Sequence, residues 1–463
     1  MSVEVRTSGA ATAAPTARPR MPTWREALRY WLHLGCISFG GPAGQIAIMH
    51  RELVQERRWI SEGRFLHALN YCMLLPGPEA TQLATYIGWL MHRTPGAIMA
   101  GTLFVLPSLA LLIALSALYV AYGNVAIVAA ALYGVKPAVV AIVLHAAWRI
   151  GTRALRHPVL WVIATAAFVA IFALRVPFPA IVVGAAALGA LGGRMLPRAF
   201  ARGGVHGAAA RPHAPALIDD DTPTPPHARY STRGLLRIAG ASAALWTGGV
   251  ALLVLVEGWQ GALVAMALFF SKAALLTFGG AYAVLPYVYQ AAVDAHGWLT
   301  ATQMMDGLAL GETTPGPLIM VVAFVGYVGA HAQALPDAAS RLAAGALGAL
   351  VATYFTFLPS FTFILAGGPM VERTHGQIGF VAPLTGITAA VVGVIVNLAV
   401  FFAWHVFVPG GLAGGVAAID PLAVLIAIAA ALALFRFRAG VIPVIAGAAL
   451  AGGLARLVVQ AAG

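Results

Sequence analysis

Long apolar runs separated by short polar connections make up most of the chain. In the first half, runs of spanning length lie near 26–49, 65–92, 96–121, 124–148, 158–174 and 177–196. Seven more follow in the second half, near 235–257, 262–288, 304–331, 340–366, 378–404, 420–435 and 440–459. An α-helix needs about 20 apolar residues to cross the hydrocarbon core of a bilayer. The pattern therefore predicts an all-α polytopic membrane protein with about 13 membrane segments.

The composition agrees with this prediction and excludes several activities. Of the 463 residues, 60% are apolar and 10% are charged, whereas about 25% are charged in typical soluble domains. The two cysteines, Cys36 and Cys72, lie inside apolar runs, where we expect small buried side chains and not a disulfide or a metal site. The sequence contains no Walker A, His-Glu-x-x-His, Gly-x-Ser-x-Gly or Cys-x-x-Cys pattern. We therefore expect no enzyme, no cofactor and no ATP-driven transport by this chain alone.

Two polar stretches divide the chain into domains. Residues 1–23 are rich in Ala, Thr, Pro and Arg and predict a disordered cytoplasmic tail. Residues 197–234 predict a cytoplasmic linker that buries too little surface to fold. Between and after these stretches we place an N-terminal transporter repeat at 24–196, a connecting transmembrane helix at 235–257 and a C-terminal inverted repeat at 258–463.

The two halves share a set of landmarks. Three tripeptides recur at a separation of 239 residues: Phe39-Gly40-Gly41 with Phe278-Gly279-Gly280, Trp59-Ile60-Ser61 with Trp298-Leu299-Thr300, and Pro76-Gly77-Pro78 with Pro315-Gly316-Pro317. Further along, Leu106-Pro107-Ser108 and Leu358-Pro359-Ser360 are 252 residues apart. Six segments of the first half repeat as six in the second, and segment 235–257 is unpaired between them. Because this connecting segment crosses the membrane once, the second half has the opposite orientation in the membrane to the first. Inverted repeats of this kind are typical of secondary transporters.

The arginines indicate how the segments are arranged. If the N-terminus is cytoplasmic and segments 26–49 and 65–92 dip in and return, loop 50–64 with four arginines lies inside. Its repeat partner, loop 289–303, then lies outside and contains no Lys or Arg. The same walk places most other arginines inside, among them Arg149, Arg153 and Arg156, and leaves only Arg175, Arg341 and Arg456 outside. Because basic residues concentrate in cytoplasmic loops, this favours broken, re-entrant hairpins over full crossings.

Glycine and proline interrupt the apolar segments at four related places. Irregular backbone at membrane depth is tolerated where protein or a water-filled cavity satisfies it. A helix that restarts after such a break exposes free N–H groups and a positive dipole end, which suits an anion. The alternative is that each break is only a kink that aids packing. We expect an anion near mid-membrane, held by N–H groups around Gly40, Gly41, Gly77, Gly279, Gly280 and Gly316.

Polar side chains cluster at the same breaks. Hydroxyls and amides there can replace the hydration shell of an oxyanion, although a single Ser or Thr in a membrane helix commonly bonds to its own helix instead. The candidate ligands are Ser38, Gln45, Thr81 and Gln82 in the first half and Thr277, Thr313 and Thr314 in the second.

Ionisable residues within the apolar runs supply a further signal. The only two lysines, Lys136 and Lys272, both lie there, and burying a charge at mid-membrane costs about 3 kcal/mol by insertion scales. One reading is an ion pair that only stabilises packing. In the other, Lys272, with Lys136 or His33 second, balances a bound anion, and Glu79 or Glu312 carries a coupling proton. His33 is a further candidate for carrying that proton. On the second reading, Lys272→Gln abolishes transport.

The residues around the breaks resemble the chromate ion transporter family. The resemblance rests on Ser38-Phe39-Gly40-Gly41-Pro42-Ala43-Gly44-Gln45, on Leu74-Leu75-Pro76-Gly77-Pro78-Glu79-Ala80-Thr81-Gln82-Leu83 and, in the second half, on Thr277-Phe278-Gly279-Gly280-Ala281-Tyr282 and Glu312-Thr313-Thr314-Pro315-Gly316-Pro317. The resemblance covers residues 24–196 and 235–460, and the chain is similar to the long, two-domain form of the family. Ala281 and Leu318 stand where the first half has proline and glutamate, so the two hairpins are chemically unequal.

The resemblance implies a multi-pass protein of the bacterial inner membrane that exports chromate, driven by membrane potential or a proton gradient. Two alternatives stay open: proton-coupled uptake of sulfate or another anion, and a non-transporting membrane scaffold or sensor. The partners expected are an oxyanion and the lipid bilayer, with no nucleic acid. A homodimer is kept open.

Overall fold

The computed structural model describes residues 19–39, 41–200, 215–278, 280–334, 338–373, 381–409 and 419–462. These residues are almost entirely helical, and their only β-type pairing is one bridge between Ile60 and Ile218. Among them, six helices are long and apolar enough to cross a membrane. The prediction of an all-α polytopic membrane protein is confirmed.

The helices follow the predicted division into two halves. The first half contains α1 (Trp24–Ile37), α2 (Gly41–His50), α3 (Glu62–Cys72), α4 (Glu79–Tyr122), α5 (Ala126–Ala154), α6 (Pro158–Phe172), α7 (Phe178–Met195) and the short α8 (Pro197–Phe200). After α9 (Thr232–Glu257), the second half contains α10 (Ala262–Leu276), α11 (Ala281–Tyr289), α12 (Ala301–Thr313), α13 (Val321–Gln333), α14 (Ala338–Arg373), α15 (Val381–Phe407), α16 (Pro421–Phe435) and α17 (Val441–Ala462).

The first three helices of each half, which lie around the glycine and proline breaks, are short. Helices α1, α2 and α3 have 14, 10 and 11 residues, and none reaches the ~20 residues that a crossing requires. Their counterparts α10, α11 and α12 have 15, 9 and 13 residues. The expected broken elements are therefore present in both halves.

The repeat extends to local backbone detail. Each half follows its second helix with a π-helical turn, at Arg51–Glu56 and at Gln290–Ala295, and these turns are 239 residues apart. The next helix is capped at its N-terminus by Ser61 in one half and by Thr300 in the other, again at this separation. Helix α4 bends sharply at His92 and Arg93, so its two parts correspond to α13 and α14.

The two repeats are interleaved by close helix packing. Gly134 on α5 packs against α17, where a Cβ would lie 2.0 Å from the carbonyl oxygen of Ala448. Gly386 on α15 packs in the same way against α7, with a Cβ 2.4 Å from the carbonyl oxygen of Ala185. Helix α5 of the first repeat is thus covered by α17 of the second, and α15 of the second repeat is covered by α7 of the first. One large apolar core joins these elements, and a smaller one joins α1, α2, α3 and the start of α4.

Part of the predicted linker is docked on the first half. The N–H of Leu217 donates to the carbonyl of Arg58 at 2.9 Å, and Ile218 exchanges two further backbone hydrogen bonds with Trp59 and Ser61 at 3.1 and 2.9 Å. Ile218 is 7% exposed. The expectation that this stretch buries too little surface to fold does not hold for residues 215–222. Residues 1–18 of the predicted tail and residues 201–214 lie outside the described part of the chain.

Candidate anion-binding site

Two reciprocal hydrogen bonds bring the breaks of the two halves together. The N–H of Gly77 donates to the carbonyl of Thr277 at 2.7 Å, and the N–H of Gly316 donates to the carbonyl of Ser38 at 2.7 Å. Gly77 and Gly316 are repeat partners, as are Ser38 and Thr277. One bond therefore becomes the other when the halves are exchanged, which is the signature of a two-fold relation. We call these four residues the junction.

The junction requires glycine at both of its Pro-Gly-Pro sites. Gly77 and Gly316 have φ of +122° and +104°, in a region that L side chains rarely adopt. A Cβ on Gly77 would lie 2.5 Å from Oγ of Ser360, and one on Gly316 would lie 2.8 Å from Cβ of Ser108. Ser108 and Ser360 are themselves repeat partners. Each Pro-Gly-Pro therefore fits against the Leu-Pro-Ser segment of the other half.

A cavity of about 860 Å³ lies beside these breaks. Three helices begin at its wall: α2 at Gly41–Pro42, α4 at Glu79, and α11 at Gly280–Ala281. Its described lining residues include one acidic residue, Glu79, and five basic ones: His50, Arg51, Arg149, Arg153 and Arg156. His50 pairs with Glu62 and Arg51 with two other glutamates, whereas the remaining three arginines form no salt bridge within the described residues. The cavity thus combines helix N-termini with an excess of positive charge, and both favour an anion.

Arg149 lies deepest among the arginines. Arg51, Arg153 and Arg156 are exposed, whereas Arg149 is half-buried. A Cβ on Gly41 would lie 3.8 Å from its Nη2 atom, so the guanidinium stands at the N-terminus of α2. None of the salt bridges within the described residues involves Arg149. A planar guanidinium can donate two parallel hydrogen bonds to an oxyanion.

Sequence reasoning counted Arg149 among the cytoplasmic topology determinants and missed its position in the site. A signal was nevertheless present. Arg149 and Arg153 are four residues apart on a mainly apolar helix, so they share one face. Two arginines on one face of a membrane helix point to a polar partner, since a charge facing lipid is costly.

Both predicted proton-carrying carboxylates reach the cavity or its wall. Glu79 is the first residue of α4 and lines the cavity. Glu312, at the end of α12, accepts a hydrogen bond from the hydroxyl of Tyr282, which lines the cavity from α11. Arg149 interacts electrostatically with both Glu312 and Tyr282. Their role as proton carriers stays a prediction.

The predicted hydroxyl ligands are mostly bonded within their own helices. Ser38 donates to the carbonyl of Leu34 at 2.6 Å and Thr277 to that of Ala273 at 2.7 Å. Thr313 and Thr314 donate to carbonyls three residues earlier, at 2.8 and 2.9 Å. For these four residues the structure shows the alternative that the sequence left open. Their hydroxyl hydrogens are committed to the backbone in this structure.

The predicted amides lie at the junction instead. Gln45 donates through Nε2 to the carbonyl of Gly316 at 2.5 Å, and Gln82 donates to that of Pro76 at 2.8 Å. Within the described residues, four buried polar atoms here accept or donate no hydrogen bond: Oε1 of Gln45, Oγ1 of Thr81, Oε1 of Gln82 and Oγ of Ser108. Buried polar groups without partners are unusual in proteins and mark places where a ligand or water can bind.

The predicted lysine and histidine sites lie elsewhere. Lys272 is exposed and lines a second cavity of about 450 Å³ with Gln290 and His296. His33, its repeat partner, is exposed too. Lys136 lies 3.9 Å from a carboxylate oxygen of Asp306. None of the three lines the larger cavity. Gly40 and Gly279 are outside the described residues, so their N–H groups stay predictions.

The chain is similar in sequence to several known proteins. The chain is 36% identical over 396 residues to a chromate transport protein of Pseudomonas aeruginosa, covering 84% of this chain and 83% of that one. It is 29% identical over 397 residues to a chromate transport protein of Cupriavidus metallidurans (86% and 85%). It is 27% identical over 378 residues to a probable chromate transport protein of Synechococcus elongatus (81% and 84%). No solved structure matches the chain.

A family profile also matches the chain in two blocks. A profile described as Chromate transporter matches residues 25–190 and 264–453. These two blocks contain most of both repeats, all four breaks, and every arginine that lines the cavity. An inverted pair of broken-helix repeats around a basic cavity, in a chain that this profile matches over most of its length, places the protein: it belongs to the chromate transporter family.

Proposed function

We propose that the protein is a secondary transporter that exports chromate, and that the cavity at Arg149 receives the anion. The observation that carries the proposal is the guanidinium of Arg149 at the N-terminus of α2, in a cavity where α11 also begins. Chromate is a tetrahedral dianion, so it can accept a bidentate pair from arginine and further N–H donors at the same time. The names of the relatives supply the ligand, and the geometry supports an oxyanion.

The three helix N-termini do not contribute equally. Glu79 is the first residue of α4, and its carboxylate offsets the positive end of that helix. The N-termini of α2 and α11 are not offset in this way, because they begin at Gly41 and Ala281. We therefore assign the anion to the space between Arg149 and the first turns of α2 and α11.

The arginines at the mouth of the cavity support a cytoplasmic opening, which export requires. Arg51, Arg153 and Arg156 are exposed there, and basic residues mark the cytoplasmic side of an inner-membrane protein. The cavity then opens to the cytoplasm, and the N-terminus lies on the same side of the membrane. Moving two negative charges outward across 100 mV, inside negative, yields about 4.6 kcal/mol. The membrane potential alone supports export.

Glu312 is one of two candidate carboxylates for coupling transport to protons. Its carboxylate is bonded to Tyr282 at the cavity wall, next to the charge of Arg149. We expect Glu312→Gln to remove the dependence of chromate transport on an imposed pH gradient while potential-driven transport persists, because a neutral amide cannot exchange a proton. Transport by proteoliposomes at fixed voltage and varied pH gradient measures this.

Two further variants sharpen the proton test. Glu257→Gln, at the exposed end of α9, should leave the pH-gradient dependence unchanged. Glu79→Gln examines the second predicted carboxylate. An unchanged response to the pH gradient in both Glu79→Gln and Glu312→Gln would remove both carboxylates from coupling.

Counterflow in proteoliposomes tests the function itself. We expect vesicles loaded with chromate to exchange it for external labelled chromate, and everted vesicles to show net movement in the export direction when the potential is imposed. Preference for labelled sulfate over chromate would instead favour the sulfate alternative. The absence of exchange with either anion, by folded protein, would favour the scaffold or sensor.

A further inference from the structure

Three polar side chains meet where α12 packs against α4 and α5. Asp306 on α12 is 2% exposed. Its Oδ2 atom accepts a hydrogen bond from the hydroxyl of Tyr119 at 3.0 Å, and its Oδ1 atom lies 3.9 Å from Nζ of Lys136. Within the described residues, Oδ1 accepts no hydrogen bond. The carboxylate is thus held by one hydrogen bond and one long ion pair, which is a weaker arrangement than a bidentate pair.

This cluster lies on the N-terminal half of α5, and Arg149 lies near the C-terminal end of that helix. Lys136 and Arg149 are thirteen residues apart on α5, which is about 20 Å along a helix axis. With the cavity open to the cytoplasm, the cluster lies toward the outer side. The same long helix therefore contributes a cation to each half of the membrane.

The repeat shows what the cluster replaces. On the cavity side, α3 and α15 both line the open space, α3 through Leu66, Leu69 and Asn70 and α15 through Thr388 among others. The residues of α12 that correspond to these three, at a separation of 239, are Met305, Leu308 and Ala309, with exposures of 1, 4 and 3%. The residue that corresponds to Thr388, at a separation of 252, is Lys136.

One repeat is therefore open at the position where the other is closed. Between α3 and α15 there is a cavity, whereas between the equivalent helices α12 and α5 there are buried side chains and the Lys136–Asp306 pair. His67, the repeat counterpart of Asp306, cannot form the same ion pair with Thr388. The charged pair thus distinguishes the closed side from the open one. Transporters built from inverted repeats alternate by moving one unit against the other around a fixed site.

We propose that the Lys136–Asp306 pair, supported by Tyr119, is the outer lock of this transporter. The pair holds α12 against α5 while the cavity is open to the cytoplasm. It parts when α12 moves away and α3 closes on α15, which opens a route to the outer side. The assignment of inner and outer sides rests on the proposed function, but the exchange of open and closed repeats does not depend on the substrate.

Thiol labelling tests the lock without using a substrate. Ala309→Cys and its repeat counterpart Asn70→Cys are each made in a Cys36→Ser/Cys72→Ser background, with and without Asp306→Asn. A membrane-impermeant maleimide is applied to right-side-out and to everted vesicles. With the lock intact we expect Asn70→Cys to be labelled from its side and Ala309→Cys to be protected. With Asp306→Asn we expect labelling of Ala309→Cys to rise at least threefold and that of Asn70→Cys to fall.

The controls separate the lock from general loosening and from the proposed function. Lys272→Gln removes the other lysine and should leave both labelling rates unchanged. Lys136→Gln should reproduce the effect of Asp306→Asn, and it is scored in the same way where Asp306→Asn does not reach the membrane. Unchanged labelling at both positions, or a rise at both, overturns the proposal. Because labelling needs no anion, failure of chromate counterflow leaves this result intact.

Discussion

Replacing Arg149 by glutamine is expected to lower the affinity for chromate about 10- to 100-fold. The side chain would lose the charge and the fork of donors at the N-terminus of α2. A hydrogen bond to a charged group contributes about 1.5–3 kcal/mol, and each 1.4 kcal/mol corresponds to a factor of about ten in Kd. Calorimetric titration of the purified protein and initial rates in proteoliposomes measure the loss. Arg149→Lys keeps the charge without the fork of donors, so its affinity for chromate should lie between those of Arg149→Gln and the natural protein.

Two variants define what the Arg149 result means. Arg156→Gln removes an exposed arginine at the mouth of the same cavity. It should change the rate and its salt dependence more than the affinity, because exposed charges mainly steer ligands. Lys272→Gln examines the cation that the sequence favoured. If Lys272→Gln abolishes transport and Arg149→Gln does not, the basic cavity is not the anion site.

Gly316→Ala is expected to reduce transport at least tenfold while the protein still inserts in the membrane. Alanine at φ +104° is strained, at a cost of about 1–3 kcal/mol. Its Cβ would also lie 2.8 Å from that of Ser108. The bond from the N–H of Gly316 to Ser38 joins the two repeats, so displacement at this point disturbs the junction. Chromate counterflow, normalised to the amount of protein eluting as a single species, measures the effect.

Three comparisons separate the causes of that loss. Ser108→Gly in the Gly316→Ala background removes the steric contact and should restore part of the transport. Gly297→Ala has a positive φ of +61°, no neighbour within 4 Å of a Cβ and a position away from the cavity lining, so it reports backbone strain without a clash. Gly453→Ala, in a helix and in open space, should behave as the natural protein. Natural rates in Gly316→Ala itself would show that the junction tolerates displacement.

The repeat and its breaks could be predicted because they depend on short-range information. Runs of apolar residues report spanning segments directly, and Pro76-Gly77-Pro78 and its partner interrupt a helix wherever they stand. The separation of 239 residues recurred in the structure down to the π-helical turns and the capping residues Ser61 and Thr300. Local backbone preferences are copied along with the sequence.

The cation at the site could not be predicted in the same way. Lysine was favoured because only two lysines occur and both lie in apolar runs, but Lys272 is exposed on α10 and Lys136 pairs with Asp306. Arg149 was assigned to topology, since arginines near helix ends usually serve that purpose. Which of these side chains reaches the cavity depends on the rotation of each helix about its axis. That rotation is decided by packing against helices far away in the sequence.

The linker is a second case in which the sequence alone did not predict a tertiary contact. Its composition gives residues 215–222 too few apolar side chains to fold alone. In the structure the carbonyls of Asp219 and Thr222 accept hydrogen bonds from Arg64, whose guanidinium also pairs with Glu372 at 2.5 Å. The partners that order this stretch lie in the first repeat, more than 150 residues earlier in the chain, so no property of the linker itself reveals them.

By itself, the sequence determined that this is a helical membrane protein made of two inverted halves with glycine and proline breaks at matching places. Those features follow from apolarity and backbone preference, which act within a few residues. The tertiary structure decided that the breaks meet through Gly77 and Gly316, that an arginine stands beside them, and that one repeat is open where the other is closed by Lys136 and Asp306. Those features depend on which helix faces bury one another, and that is settled by the packing of the whole molecule.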